Sequence, residues 1–314
     1  MSSGPKRVIY NPEAGSADEL EACRPALEAA GYEMIASESE QHAKELARAA
    51  VDDEVEQLVA AGGDGTVSMI AAALLACHEG DGHCHRPALG VLPLGTGNDF
   101  RRTLGVSNDL ETAIEELGQA EAIDGDALRC RFDGDDVWAI NVITGGTSGA
   151  MYDELTDEIK KRWGPLAYFR VGVPAAVNPP TYALDLTIDG RAERLTVTNL
   201  VLANGRYAGG GFVAAPKADL ADGKIDVAAL LPTDSLLETA ELARKVVGGD
   251  YTADYTDDEH ARRWHARQVT LRSDPPMPFT VDGENRTAAE ASVEVVPGVL
   301  RVLVARPPHR TPAV

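Results

Sequence analysis

Four short apolar runs, each leading into a loop or a helical pattern, dominate the first part of the chain. They are RVIYN, YEMIAS, EQLVAAGG and ALGVLPLG, and helical patterns lie near residues 18–30, 40–51, 65–76 and 109–118. Strands that alternate with helices are joined by crossover connections, which make neighbouring strands parallel. The sequence therefore predicts an α/β domain with a doubly wound parallel sheet over residues 1–124.

Beyond residue 124 the alternation stops, and strand-like runs follow one another with Gly, Pro and Asp between them. The run ALRCRFDGDDVWAINVITGG predicts a hairpin with DGDD as its turn. Helical patterns interrupt the strands at about 150–177 and 233–248. This organisation predicts a mainly antiparallel β-sandwich or barrel over residues 125–306, followed by a frayed tail at 307–314.

The net charge of the chain limits which partners and which environment are expected for it. Asp and Glu number 50 against 29 Lys and Arg, which gives a formal net charge of -21, and only seven of the basic residues are Lys. Two interpretations stay open: a surface adapted to high intracellular salt, as in a halophilic host, and an ordinary acidic protein. No basic stripe is visible, so nucleic acid is not expected as a partner.

Cysteine use and hydropathy predict a cytoplasmic protein. The chain contains four Cys and is long enough to fold without disulfides, which fits a reducing compartment. Its first residues, MSSGPKRVIYNP, lead into a strand-like run without a signal-peptide pattern, and no apolar stretch reaches 18 residues. The oligomeric state is not readable from the sequence, which is compatible with a homodimer.

Three loops of the first domain share one design. NPEAGS (11–16), GGDGT (62–66) and LGTGND (94–99) each follow a strand and combine glycine with small hydroxyl or amide residues. Glycine lets a backbone approach a phosphate closely, and N–H groups at a helix N-terminus stabilise its charge. Because ligands of such sheets bind at the carboxyl ends of the strands, the three loops predict a nucleotide site.

The acids inside these loops point to a cation. Neither GxxxxGK[ST] nor GxGxxG occurs, so the site is neither a P-loop nor a dinucleotide fingerprint. Asp64 and Asp99 would repel a phosphate unless Mg²⁺ bridged carboxylate and phosphate oxygens. The alternative for each Asp is a side chain that only caps its loop.

Taken together and in order, the motifs resemble the diacylglycerol kinase catalytic family. NPxxG, GGDGT and PxGTxND are followed by NGRYAGGGFVAAPKADLADGKIDV (204–227) and FTVDGE (279–284). That family includes soluble bacterial lipid kinases and sphingosine kinases. GGDGT alone is less specific, because NAD kinases and phosphofructokinases carry related loops.

The resemblance implies that the first domain binds ATP and that the cleft between domains binds the lipid. Glu284 of DGE matches the family's proton acceptor, and Asp64 and Asp282 accompany it as catalytic residues. Asp219, Asp222 and Lys224 fall where the family holds a structural Mg²⁺, the Lys through its backbone because an ammonium cannot bind a cation. The positions matching nucleotide-binding residues are Asn11, Pro12, Gly15, Ser37, Gly62, Gly63, Asp64, Gly65, Thr66, Ser68, Gly95, Thr96, Asn98 and Asp99.

Two positions depart from the family pattern. Ser68 stands where the family usually has Asn, and Arg101 stands where it often has Ala. Neither is essential to the proposed chemistry.

Three further segments suggest other sites. CHEGDGHCH at 77–85 offers Cys77, His78, His83, Cys84 and His85 as zinc ligands, against a solvated loop as the alternative. KKRWGPLAYFR (160–170) and HARRWHAR (260–267) combine basic and aromatic residues. Each predicts either contact with a membrane surface or an ordinary packed element.

The sequence thus predicts an ATP- and Mg²⁺-dependent lipid kinase, cytoplasmic and peripherally membrane-associated. Its substrate would be a hydroxyl of a diacylglycerol-like lipid, an ether glycerolipid or a sphingoid alcohol. Two alternatives are an NAD kinase-like enzyme acting on a soluble nucleotide and a non-catalytic nucleotide- or lipid-binding module.

Overall fold

The computed structural model describes residues 4–81, 85–147, 179–233 and 260–305. The predicted helix at 150–177, the basic segment 160–170 and the tail 307–314 lie outside these ranges. Of the helical pattern at 233–248, only Thr233 is described. The chain divides into two units, one formed by Met1–Asp126 with Pro297–Val314 and the other by Ala127–Val296.

The first unit is built from alternating strands and helices. Its strands are β1 (Lys6–Tyr10), β2 (Tyr32–Ala36), β3 (Gln57–Gly62) and β4 (Ala88–Pro93). Its helices are α1 (Ala17–Ala22), α2 (Arg24–Ala29), α3 (Glu40–Asp52), α4 (Asp64–Asp81), α5 (Asp99–Thr103) and α6 (Leu110–Gln119).

The sheet of this unit is parallel, as predicted. The strand order is β4-β3-β1-β2, and each neighbouring pair is parallel. The chain steps from β1 to one side to form β2 and then to the other side to form β3. The order therefore reverses between β1 and β3, which is the position where open α/β sheets bind ligands.

The predicted helix at 18–30 is two helices. α1 ends at Ala22, and Pro25 lies in the first turn of α2. Proline has no N–H to donate to the carbonyl four residues earlier, so a continuous helix would lose a hydrogen bond there. By contrast, α3 begins as expected, because the Ser39 side chain accepts the N–H of His42 at 3.1 Å.

The second unit consists of antiparallel strands, which confirms the predicted class. Leu128, Phe132, Leu271 and Phe279 are among its buried core residues, and the rings of Phe132 and Phe279 lie 5.1 Å apart. The strands are β5 (Glu121–Phe132), β6 (Asp135–Ala139), β7 (Val142–Gly146), β8 (Tyr182–Ile188), β9 (Arg191–Val197), β10 (Asn199–Ala203), β11 (Tyr207–Ala208), β12 (Phe212–Val213), β13 (Ile225–Leu230), β14 (Ala261–Ala266), β15 (Gln268–Val281) and β16 (Glu284–Val304).

Two strands cross the unit boundary along the chain. β5 begins before Asp126 and ends after it, and β16 runs past Pro297. Near its end β16 pairs with β4 in parallel, with Val302 opposite Leu89. The sequence assigned residues 125–306 to the β-rich domain, whereas the end of β16 belongs to the first unit.

Three hairpins of the antiparallel strands turn on the same dipeptide. Asp133-Gly134 joins β5 to β6, Asp189-Gly190 joins β8 to β9, and Asp282-Gly283 joins β15 to β16. All six residues have positive φ, between 46° and 103°. Asp-Gly is a preferred pair for such two-residue turns, because Gly and Asp tolerate positive φ better than most residues.

Candidate active site

The three glycine loops lie at one edge of the parallel sheet. Tyr10, the last residue of β1, pairs with Ala36 of β2 and with Ala61 of β3, and Gly62 of β3 pairs with Pro93 of β4. The segments that follow these strands, 11–16, 62–66 and 94–99, therefore lie side by side. We call these segments the nucleotide loops, and they flank the point where the strand order reverses.

The first nucleotide loop folds on its own asparagine. Asn11 accepts the N–H of Glu13 on its side-chain oxygen at 2.9 Å, and its carbonyl accepts the N–H of Ala14 at 3.1 Å. Ser37, at the end of β2, is buried and directs both its N–H and its hydroxyl to the Tyr10 carbonyl, at 2.8 and 3.1 Å. Ser37 therefore ties β2 to β1, and a nucleotide contact of Ser37 stays a prediction.

The second and third loops pack backbone against backbone. A Cβ on Gly95 would lie 2.4 Å from the Cα of Gly63, and one on Gly62 would lie 2.5 Å from the Cβ of Thr66. Glycine is therefore required at Gly62 and Gly95 by close packing. A Cβ on Gly65 would meet nothing within 4 Å. The first turn of α4 thus faces open space at Gly65.

Asp64, the first residue of α4, joins the two loops. Its Oδ1 accepts the backbone N–H of Asp99 at 2.6 Å and that of Phe100 at 3.1 Å. Burial raises the pKa of the Asp64 carboxyl, and the N–H groups of Phe100 and Asp99 partly offset that rise. Asp64 thus has the loop-capping contacts that the sequence left as an alternative to metal binding.

Asn98 and Asp99 fix the third loop. Asn98 has a φ of 51°, and its side chain accepts the Gly95 N–H at 3.2 Å and donates to the Gly95 carbonyl at 2.6 Å. The buried Asp99 carboxylate pairs with Arg102 at 3.0 Å, and the same guanidinium nitrogen donates to the carbonyl of Gly97. Sequence reasoning missed Arg102, although its spacing of three residues from Asp99 is typical of an ion pair on a helix.

The contacts of Asp64 and Asp99 limit how these residues could bind Mg²⁺. Within the described ranges, no group of three or more His, Cys, Asp or Glu side chains could hold a metal ion. Asp64 and Asp99 already receive N–H groups and a guanidinium, so they do not form a free-standing metal cage. Mg²⁺ usually binds through one or two carboxylates and the phosphates of its substrate. Asp64 and Asp99 could supply one or two ligands to such a cation, and Mg²⁺ binding stays a prediction.

In the second unit, the DGE segment forms a hairpin turn. Both oxygens of Asp282 accept backbone N–H groups of the segment that leads into β7: Ile140 at 2.7 Å, Asn141 at 3.1 Å and Val142 at 2.9 Å. Glu284 begins β16 with a side chain 70% exposed, 3.3 Å from Arg286. Asp282 therefore fixes the turn, while Glu284 presents a carboxylate to solvent in this unit.

The segment proposed to hold a structural cation is a pair of tight turns. Asp219 accepts the N–H of Ala221 at 3.1 Å, and Asp222 accepts that of Lys224 at 2.9 Å. Loss of water contact raises the pKa of Asp222, and the neighbouring carboxylates Asp226 and Asp219 raise it further. The side chains alone do not complete a metal site, so the assignment of Asp219, Asp222 and Lys224 stays a prediction that needs backbone carbonyls.

The remaining candidate segments are only partly described. The side chains of His78, His83 and Cys84 lie outside the described residues, while His85 contacts the Val55 carbonyl at 2.7 Å. The basic segment 260–267 forms strand β14 with one flanking residue at each end. No helix in the part of the chain that the structure describes is long and apolar enough to cross a membrane.

Comparison with protein families gives two matches. Residues 5–130 match the diacylglycerol kinase catalytic domain, and residues 141–304 match the YegS C-terminal NAD kinase beta sandwich-like domain. The first match covers the parallel strands β1–β4, and the second covers most of the antiparallel strands. They confirm the fold class and the family resemblance seen in the motifs.

Relatives from bacteria match this chain along most of their length. A Stenotrophomonas maltophilia protein named "Probable lipid kinase YegS-like" is 30% identical, over 94% of this chain and 94% of that protein. A Xanthomonas euvesicatoria pv. vesicatoria protein of the same name is 34% identical, over 81% of this chain and 80% of that protein.

Solved structures share the fold. The crystal structure of a diacylglycerol kinase from Bacillus anthracis str. Sterne has a TM-score of 0.72 at 19% identity, covering 96% of this chain and 97% of that chain. A second crystal structure from the same strain has a TM-score of 0.79 at 21% identity, with the same coverage. Both likenesses concern the fold alone.

Proposed function

Since this chain belongs to the YegS-like family of lipid kinases and is a kinase, we propose that it transfers the γ-phosphoryl group of ATP to a lipid hydroxyl. The acceptor class is a diacylglycerol-like lipid, an ether glycerolipid or a sphingoid alcohol. The lipid kinase names of the relatives from Stenotrophomonas and Xanthomonas support this choice.

One observation carries the proposal for ATP. The three nucleotide loops meet at the carboxyl edge of the sheet, where the strand order reverses, and Gly65, in the first turn of α4, faces open space there. The unpaired N–H groups of a helix N-terminus and its dipole favour a phosphate at that position. Gly65 and Thr66, in the first turn of α4, are the residues that would contact it.

The chain supplies the acid–base chemistry through Glu284. A lipid hydroxyl is a weak nucleophile near neutral pH, and a carboxylate that takes its proton during attack makes it effective. Glu284 is exposed at the start of β16, and Asp282 holds the turn that presents it. Mg²⁺, when bound with ATP, would offset the charge that develops on the phosphoryl oxygens.

The test is Glu284→Gln, with Glu290→Gln as its control. Both carboxylates lie on β16, both are exposed, and each faces an arginine, at 3.3 Å for Glu284 and 3.8 Å for Glu290. The first substitution should lower kcat on lipid by about 10²- to 10⁴-fold, because the general base is lost. The second should leave kcat unchanged. Equal activity of Glu284→Gln and wild type would refute the assignment of Glu284 as the general base.

The acceptor panel separates the alternatives. Labelled ATP is incubated with lipid extract, with defined lipids and with NAD, and the label is followed into organic and aqueous phases. Label in the organic phase supports the lipid kinase, whereas label on NAD alone supports a soluble-nucleotide kinase. A wild-type protein that binds ATP and labels neither acceptor would favour a non-catalytic binding module.

A further inference from the structure

We propose that Arg102 is a positioning residue of the nucleotide site. It holds the third nucleotide loop closed and keeps Asp64 and Asp99 from binding a divalent cation before the nucleotide arrives. The inference rests on the proposed ATP-binding function, which it deepens by assigning the residue that controls metal access.

The first support is the contact set of the Arg102 guanidinium. One nitrogen donates both to Asp99, at 3.0 Å, and to the carbonyl of Gly97. The Asp99 side chain is only 8% exposed, so water and salt screen this pair far less than a surface ion pair. Arg102 thus occupies two oxygen atoms, a carboxylate and a carbonyl, of the types that bind Mg²⁺.

The second support is the position of the two carboxylates. A Cβ built on Gly97 would lie 2.6 Å from Oδ2 of Asp64 and 4.0 Å from Oδ2 of Asp99. Both carboxylates therefore border the same small space beside Gly97. Two carboxylates around one space attract a divalent cation unless another positive charge balances them. Arg102 supplies that charge to Asp99.

The third support is the link from Arg102 to the rest of the loop. The backbone N–H of Asp99 donates to Asp64 at 2.6 Å, and Asn98, the residue before it, closes the loop on Gly95. A displaced Asp99 would therefore disturb the cap on Asp64 and the contact between the second and third loops. Loss of Arg102 should weaken nucleotide binding without removing any group that touches the reacting atoms.

The direct test measures metal binding without nucleotide or substrate. The full chain is titrated with Mn²⁺, and free Mn²⁺ is followed by electron paramagnetic resonance. Arg102→Gln should acquire a Mn²⁺ site absent from wild type, and Arg102→Gln combined with Asp99→Asn should lose it again. Arg194→Gln is the matched control, because it breaks an exposed arginine–aspartate pair of 2.6 Å and changes net charge equally.

Kinetics give the second readout. Arg102→Gln should raise the KM for ATP by about ten- to a hundredfold with a smaller change in kcat, as for other residues that orient a binding group. Arg102→Lys keeps the charge and loses the planar fork. It should therefore show raised KM and no new Mn²⁺ site, and it carries the test if Arg102→Gln fails to fold.

The proposal is overturned if Arg102→Gln gains no Mn²⁺ binding over Arg194→Gln, or if its KM for ATP equals that of wild type. The metal titration does not depend on turnover. A wild-type protein inactive on every acceptor would therefore refute the proposed kinase reaction while leaving the Mn²⁺ result to decide the role of Arg102.

Discussion

Replacing Asp282 by Asn tests how the DGE turn is held. Asn keeps the size of the side chain and tolerates the φ of 47° at this position. Its amide oxygen can still accept the N–H groups of Asn141 and Val142, which both bond to Oδ1. The amide nitrogen would face the N–H of Ile140, which bonds to Oδ2 at 2.7 Å. The buried N–H of Ile140 would then lose the carboxylate oxygen that accepts it.

The magnitude follows from that geometry. A hydrogen bond to a charged group contributes about 1.5–3 kcal/mol, and an unsatisfied buried N–H costs a similar amount, so Asp282→Asn should destabilise the second unit by about 2–4 kcal/mol. Asp189→Asn is the matched control, because both of its N–H partners, Arg267 and Gln268, bond to Oδ1 at 2.9 Å. The retained amide oxygen should limit that loss to about 0.5–1 kcal/mol.

The assay is urea unfolding followed by tryptophan fluorescence. All three Trp residues lie within Ala127–Val296, so the signal reports on the second unit. Equal free energies of unfolding for Asp282→Asn and Asp189→Asn would refute the account. Such a result would mean that the three N–H contacts of Asp282 do not stabilise the turn more than an ordinary Asp-Gly hairpin.

Two further predictions concern the first unit. Gly95→Ala should abolish protection by ATP against thermal unfolding, because its Cβ would lie 2.4 Å from Gly63, whereas Gly118→Ala, which meets nothing within 4 Å, should retain it. Arg24 and Tyr10 lower the pKa of Glu21 from 4.5 to about 2. This stabilisation is fully present above pH 4.5 and is lost as pH falls towards 2, so Glu21→Gln should show a smaller loss of stability over that window in urea titrations.

Local patterns predicted the elements of the parallel sheet well, because β3 and β4 are largely apolar runs with glycine at or near their ends. β4 is buried at all six positions, for example, and the sequence ALGVLP shows it directly. The break between α1 and α2 also has a sequence signal, since Pro25 cannot donate a helical hydrogen bond. α5 was missed because its five residues are too short for a helical period.

Non-local contacts could not be predicted in this way. The partners of Asp282 lie about 140 residues earlier in the chain, and the pairing of Val302 with Leu89 joins distant segments. Sequence spacing identified Asp282 as part of a motif but gave no means to see that both its oxygens accept backbone N–H groups. Similarly, the contact of Arg102 with the Gly97 carbonyl depends on the fold of the loop.

Phosphate transfer to lipid is the central claim, and a lipid-panel assay with labelled ATP tests it most directly. The purified full chain is assayed with diacylglycerol, ether glycerolipid and sphingoid acceptors at low and at molar KCl, with and without Mg²⁺. The account predicts label in the organic phase, dependent on Mg²⁺ and reduced in Glu284→Gln; activity that persists at molar KCl would support the salt-adapted interpretation. The absence of labelled lipid at both salt concentrations, with Mg²⁺ present, would contradict it.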